Sequence, residues 1–100
     1  MSIIDLIVEK RQKILETCSR YGATNVRIFG SCARTDYDDK SDVDVLVNMP
    51  KDLRGFNYIN RLCDLEEELA ALLGADVDVI DEPVIKGKKR DRILKEAVAL

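Results

Sequence analysis

The sequence contains no histidine among its 100 residues. That removes histidine general bases, nucleophile–histidine pairs and imidazole metal ligands together. Cysteine is scarce and unpaired in pattern: Cys18, Cys32 and Cys63 are widely spaced, with no CxxC. That spacing speaks against a disulfide framework and a thiolate zinc site, and the thiols read as reduced, in a cytoplasmic protein. No apolar run approaches the roughly 18 residues of a membrane span, so no membrane contact is expected. The opening MSIIDLIVEKRQK carries acidic residues early and lacks a small-residue cleavage site, so it does not read as a secretory signal. Internal repeats and low-complexity segments are absent. Positive charge is not in excess: 16 Lys and Arg stand against 19 Asp and Glu, a formal net charge of −3. Bulk charge therefore does not favour direct nucleic-acid binding, and any phosphate contact must be local.

What is present suits one globular domain over residues 1–100 with a single core. Residues 2–21 place Ile3, Ile7, Ile14, Leu15 and Cys18 at helical spacing, with Ser2 as a cap and Gly22 after the end. NVRIFG (25–30) alternates as a strand, and residues 31–35 suit a short helical turn. TDYDDKS (35–41) reads as a polar loop. VDVLVNM (43–49) is β-branched and closed by Pro50, so it reads as a second strand. Residues 57–73 carry Ile59, Leu62, Leu65, Leu69 and Leu72 at spacings of three and four, a helix stopped by Gly74. DVDVID (76–81) reads as a third strand, and RDRILKEAVAL (90–100) as a last helix with Ile93, Leu94 and Val98 on one side. The order is α-β-α-β-α-β-α, an α/β (α+β) domain in two or three layers. About a dozen residues separate the first two strands, too few for a comfortable parallel crossover, so the sheet is expected to be mixed.

The chemistry lies in GSCARTDYDDKSDVD (30–44). Alternate strand residues share a face, so Asp42 and Asp44 present two carboxylates side by side, roughly 7 Å apart at Cα, with Val43 and Val45 turned away. Like charges that close need a cation. Mg²⁺ suits them, because it takes one or two carboxylates and completes its octahedron with water and phosphate oxygens. A third carboxylate, from Asp76 or Asp78, would admit a second ion for in-line nucleotidyl displacement. Gly30 ends a strand where a short helical turn follows. Backbone N–H groups there attract anions, glycine admits close approach, and Ser31 adds a hydroxyl. Arg34, one turn on, brings a guanidinium to the same phosphate. Metal carboxylates beside a phosphate cradle describe a nucleoside-triphosphate site. Asp36, Asp38 and Asp39 do not continue as a calcium loop: Lys40 stands where a ligand is needed, and Val47 where the closing glutamate belongs. They read as solvated. The basic run KGKKRDR (86–92) reads as a solvated helix entry, or as a partner or nucleotide contact. Cys32 reads as a small buried residue.

FGSCAR…SDVDVLV, followed by a V-D-hydrophobic stretch after a helix-ending glycine, resembles the signature of the DNA polymerase beta-like nucleotidyltransferase superfamily. In this short form, with ILKEAV near the C-terminus, nearly the whole chain resembles the minimal nucleotidyltransferases. The resemblance implies that Asp42 and Asp44 bind Mg²⁺, two ions in all. It also implies that the third carboxylate is Asp78, in Val77-Asp78-Val79, rather than Asp76. Gly30, Ser31 and Arg34 then bind the triphosphate of ATP. One departure stands out: the family commonly has glycine where this chain has Thr35.

The implied reaction transfers a nucleoside monophosphate to a hydroxyl and releases pyrophosphate. Without histidine, the base is a carboxylate, Asp78, or a metal-held hydroxide. Metals, triphosphate and core occupy most of 100 residues, so acceptor specificity is expected from a second protein. Minimal nucleotidyltransferases pair with a HEPN ribonuclease toxin and neutralise it as antitoxin, in characterised pairs by adenylylating a tyrosine. Two alternatives are a binding antitoxin that masks the toxin without turnover, and a transferase for a small molecule of aminoglycoside type.

Overall fold

The structure, a computed structural model, describes residues 2–34, 38 and 42–100. Its described elements run α1 (Ile3–Glu9), α2 (Arg11–Arg20), β1 (Thr24–Phe29), α3 (Ser31–Arg34), β2 (Val43–Asn48), α4 (Gly55–Leu73), β3 (Val77–Asp81), a 3-10 turn (Glu82–Val84), α5 (Gly87–Glu96) and β4 (Val98–Ala99). The strands form one mixed sheet in the order β3-β2-β1-β4. β1 runs antiparallel to β2 and β4, and β2 runs parallel to β3. The expected mixed α/β architecture is therefore the observed one. Of the expected polar loop, Thr35, Asp36, Tyr37, Asp39, Lys40 and Ser41 lie outside the described residues, and Asp38 is exposed.

Two expected helices differ. The first is interrupted at Lys10, although helical hydrogen bonds still run from Lys10 N–H to the Leu6 carbonyl and from Ile14 N–H to the Lys10 carbonyl. Lys10 Nζ donates to the Leu72 carbonyl at 3.0 Å and so caps the end of α4; a local turn there serves a tertiary contact that periodicity cannot show. The last helix stops at Glu96, and Ala97 turns extended. Arg27 and Ile28 of β1 pair with Ala99 and Val98, and Leu100 N–H reaches the Val26 carbonyl. The free edge of β1 takes the tail as a strand because its backbone groups need partners. Val98, counted on the helical stripe, is instead exposed.

The sheet separates two cores. On one face, Val43, Val45 and Val47 of β2 are at most 1% exposed and meet Ile14, Cys18, Leu65 and Leu69 of α2 and α4. Each such side chain contributes roughly 1.5–3 kcal/mol on burial. On the other face, Phe29 and Leu46 meet Ile85 and Ile93. That second cluster covers only part of the sheet. The strand ends beyond it carry the aspartates.

Ion pairs hold α5 over this face. The Arg27 guanidinium donates to Glu82 Oε1, and Arg90 reaches Glu82 Oε2 at 3.3 Å and the Glu82 carbonyl at 2.9 Å. Its hydrogen bond from Arg27 holds the Glu82 carboxyl below the usual glutamate range. At the end of the strands away from Asp42, Asp44 and Asp78, buried Asp81 accepts Met49 N–H and the Tyr58 hydroxyl, tying β2, β3 and α4 together. Burial and that bond push the Tyr58 hydroxyl up to about 12.

Ile59 belongs to the helical stripe of α4 by spacing, yet it is 54% exposed, whereas Leu69 is fully buried. Leu69→Ala is expected to lower stability by about 2–5 kcal/mol. Ile59→Ala should stay within about 0.5 kcal/mol of wild type. Urea unfolding of the two variants checks the contrast.

Candidate active site

The sheet register brings distant aspartates together. Asp44 is paired with Asp78 across the parallel β2–β3 ladder and with Phe29 across the antiparallel β1–β2 ladder. Neighbouring strands lie about 4.8 Å apart, so the Asp44 and Asp78 side chains rise as neighbours from one face. Asp42, two residues before Asp44, joins the same face. Alternation beneath them puts Val43 and Val45 into the core, so a slip of one residue would bury the carboxylates and expose the valines.

Gly30 follows β1 directly and takes a left-handed φ of +71°. A Cβ at this position would collide with Asp44 Oδ2. Glycine is therefore required twice, for the backbone conformation and for the carboxylate that lies against it. The chain then turns into α3, which has four residues. So short a helix has little dipole, and most of the attraction for an anion must come from side chains.

Those side chains line a cleft of about 390 Å³. Gly30, Ser31, Arg34, Asp42, Asp44 and Asp78 all contribute to its walls, so the residues that the family resemblance implies for metal and triphosphate face one space. Asp76 is not among the lining residues; its carbonyl instead accepts Val43 N–H at 2.9 Å. The opposite wall is α5, with Lys89, Arg92, Ile93 and Glu96. The basic run 86–92 fits a solvated helix entry, a partner contact or a nucleotide contact by sequence alone. The structure turns Lys89 and Arg92 into the cleft, while Arg90 anchors the helix to Glu82. Glu96 was not anticipated: it pairs with Arg34 at 3.1 Å. Helical spacing from Lys89 to Arg92 and Glu96 was the only available signal.

The electrostatics are unbalanced on the aspartate side. Burial, then the neighbouring charges of Asp78 and Asp42, push the Asp44 carboxyl up, and Arg34 opposes them in part. Hard, anionic oxygens pressed together are the donor set that suits Mg²⁺. Among the described residues, no three acidic or thiol groups converge tightly enough to cage an ion unaided. Mg²⁺ suits that looseness too, because it keeps water and takes phosphate oxygens alongside one or two carboxylates. Cys32 is 3% exposed, and burial with Asp44 nearby pushes its thiol up to about 11, so it is a buried, protonated thiol. A second hollow, of about 370 Å³ between α1, α3 and β4, is almost wholly apolar and holds none of the carboxylates.

The chain matches the family model of the nucleotidyltransferase domain over residues 10–100. It is 37% identical over 92 residues to a Methanocaldococcus jannaschii protein provisionally named a protein adenylyltransferase, covering 92% of this chain and 95% of that one. It is 33% identical over 98 residues to the protein adenylyltransferase MntA of Thermococcus cleftensis, covering 93% and 95%. A solved structure provisionally described as a minimal nucleotidyltransferase superposes with a TM-score of 0.83 at 33% identity, covering 97% and 95%. A toxin–antitoxin structure with AMP-PNP shares the fold, with a TM-score of 0.72 at 20% identity over 88% and 69% of the two chains.

Ionised Asp44 is strained by its neighbours, and the sign of the consequence is fixed. A carboxyl whose folded pKa is raised costs the folded state stability as pH rises through the window above the ordinary aspartate value. Asp44→Asn should therefore melt higher than wild type at pH 7 in EDTA. The difference should shrink as pH falls toward the usual aspartate range. Mg²⁺ should raise the melting temperature of wild type and not of the variant. Thermal melts across pH, with and without Mg²⁺, check all three.

Proposed function

This chain belongs to the nucleotidyltransferase domain family, and we propose that it transfers AMP from ATP to a tyrosine hydroxyl of a partner HEPN ribonuclease toxin, acting as that toxin's antitoxin. The observation that carries the reading is the β2–β3 register, which sets Asp44 beside Asp78, with Asp42 adjacent, in a cleft whose far wall is cationic. The adenylyl and protein parts are supported by relatives named protein adenylyltransferases. The toxin part is supported by toxin–antitoxin assemblies that contain the same fold.

The roles follow from position. Asp42, Asp44 and Asp78 would hold two Mg²⁺ ions. Bound there, Mg²⁺ would offset the clustered negative charge and polarise the α-phosphoryl group. Gly30 leaves room for the Asp44 carboxylate and turns the chain so that the backbone N–H groups after it face the triphosphate, and Ser31 offers a hydroxyl. Arg34, Lys89 and Arg92 hold the β- and γ-phosphates, so the leaving pyrophosphate departs toward positive charge. The acceptor hydroxyl enters from the open side, where Asp78 is exposed and able to take its proton. Attack at the α-phosphorus forms the new phosphodiester and breaks the bond to pyrophosphate. Residues 1–100 work as one domain in this reading.

Intact-mass spectrometry of the protein with its co-purified partner tests the proposal. With ATP and Mg²⁺, the partner should gain one or more adenylates, mapped to tyrosine by peptide analysis. Asp42→Ala/Asp44→Ala should abolish the gain. A stable complex with no mass change would replace this reading with a binding antitoxin that acts without turnover. Lys89→Ala and Arg92→Ala should each weaken ATP binding modestly, by up to about fivefold, as expected for exposed charge contacts of about 0.2–1 kcal/mol. Calorimetric titration of Mg-ATP measures it.

A further inference from the structure

The cleft contains a carboxylate that the proposed chemistry does not use. Glu96 closes the last turn of α5, its side chain is 23% exposed, and its Oε2 lies 3.1 Å from Nη1 of Arg34. Arg34 stands one turn after Gly30 and Ser31, where the triphosphate is expected. A carboxylate that meets a guanidinium there occupies the place of a phosphate oxygen.

The pair is not needed to seat α5. That helix is anchored from Arg90 to Glu82 and by Ile93, which is 2% exposed. Nor does Glu96 help an anion to bind. Among the described lining residues, Asp42, Asp44, Asp78 and Glu96 stand against Arg34, Lys89 and Arg92, four negative charges against three positive. With Glu96 neutral, the two signs would balance.

Resting on the nucleotide-site reading above, we propose that Glu96 is a resident phosphate mimic that pairs with Arg34 and keeps a metal-free polyphosphate out of the cleft. Nucleotide entry then depends on a cation, because the incoming anion must displace Glu96 in a cleft already net negative. Asp42 and Asp44, holding Mg²⁺, would have their charge offset, and the exchange of Glu96 for a phosphate oxygen at Arg34 would become favourable. The consequence is selection for the metal complex of a nucleotide over free polyphosphates or free nucleotide. A carboxylate that merely tied α3 to α5 would affect stability and leave this selection untouched.

The test is calorimetric titration of the full chain with inorganic tripolyphosphate in EDTA, and with Mg-ATP, for wild type, Glu96→Gln, Arg34→Gln and the double variant. Glu96→Gln should tighten metal-free tripolyphosphate binding by about three- to tenfold, the scale of one part-exposed charge. Its effect on Mg-ATP should be smaller. The gain should vanish in the Arg34→Gln background. Glu96→Asp, which retains the charge but shortens the reach, should give a smaller gain in the same direction and serves should Glu96→Gln not fold. Unchanged or weaker tripolyphosphate binding overturns the inference, as does a gain that survives loss of Arg34. If Mg-ATP binding is intact and needs Asp42 and Asp44 in those experiments, only the role of Glu96 falls. If wild type does not bind Mg-ATP through those aspartates, the nucleotide reading falls and takes the inference with it.

Discussion

Mutual repulsion of Asp42, Asp44 and Asp78 is the constraint around which the rest of this molecule is arranged. Left alone, three carboxylates at neighbouring sheet positions would move apart. Here they cannot, because Val43, Val45 and Val47 are sealed beneath them. The same alternation that buries the valines raises the aspartates on the other face. Hydrophobic burial thus holds an electrostatically unfavourable arrangement in place. Burial and the like charges around it keep the Asp44 carboxyl above its ordinary range. Stability sacrificed at a site is a common mark of function, since a ligand that supplies the missing charge recovers it on binding.

The opposite wall is assembled with equal economy. Glu82 receives Arg27 from the sheet and Arg90 from α5, so one carboxylate fixes the basic helix against β1. With Arg90 committed to this anchor and Ile93 to the second core, Lys89 and Arg92 are left facing the cleft. The site is therefore bipolar by construction. Anionic oxygens rise from the strand ends, cationic nitrogens come from α5, and a cleft of about 390 Å³ lies between. A metal-bearing triphosphate has the same polarity in reverse.

Much of this was legible in the chain itself. The β-branched run VDVLVNM located β2, and the two-residue period of a strand predicted which aspartates share a face. Period 3.6 located α4, and Gly74 marked its end. The Gly30-Ser31 pair and its distance from Asp42 pointed to a phosphate turn. What remained hidden depends on contacts far apart in sequence. Lys10 turns because Leu72 offers a carbonyl. Val98 leaves the helix because β1 has an unfilled edge. Ile59 keeps the helical spacing, yet more than half of it stays exposed. The orientation of Lys89, Arg92 and Glu96 toward the aspartates required knowing where α5 docks, which Glu82 decides by holding Arg27 of β1 and Arg90 of α5 on the same face of the sheet. Local pattern identifies elements; docking decides what each polar face meets.

The sheet edge narrows how an acceptor can arrive. β3 is the outer strand next to β2, and an outer strand offers free N–H groups to any extended peptide. Val79 N–H is already taken, donating to Glu66 Oε2 of α4 at 2.8 Å. Burial and nearby Asp78 push the Glu66 carboxyl up, while the bond from Val79 draws it down. A helix carboxylate thus blocks the ladder at the residue after Asp78, and strand addition there would have to break that bond. Asp78 itself remains exposed. An acceptor can therefore reach Asp78 as a projecting side chain more readily than as an added strand.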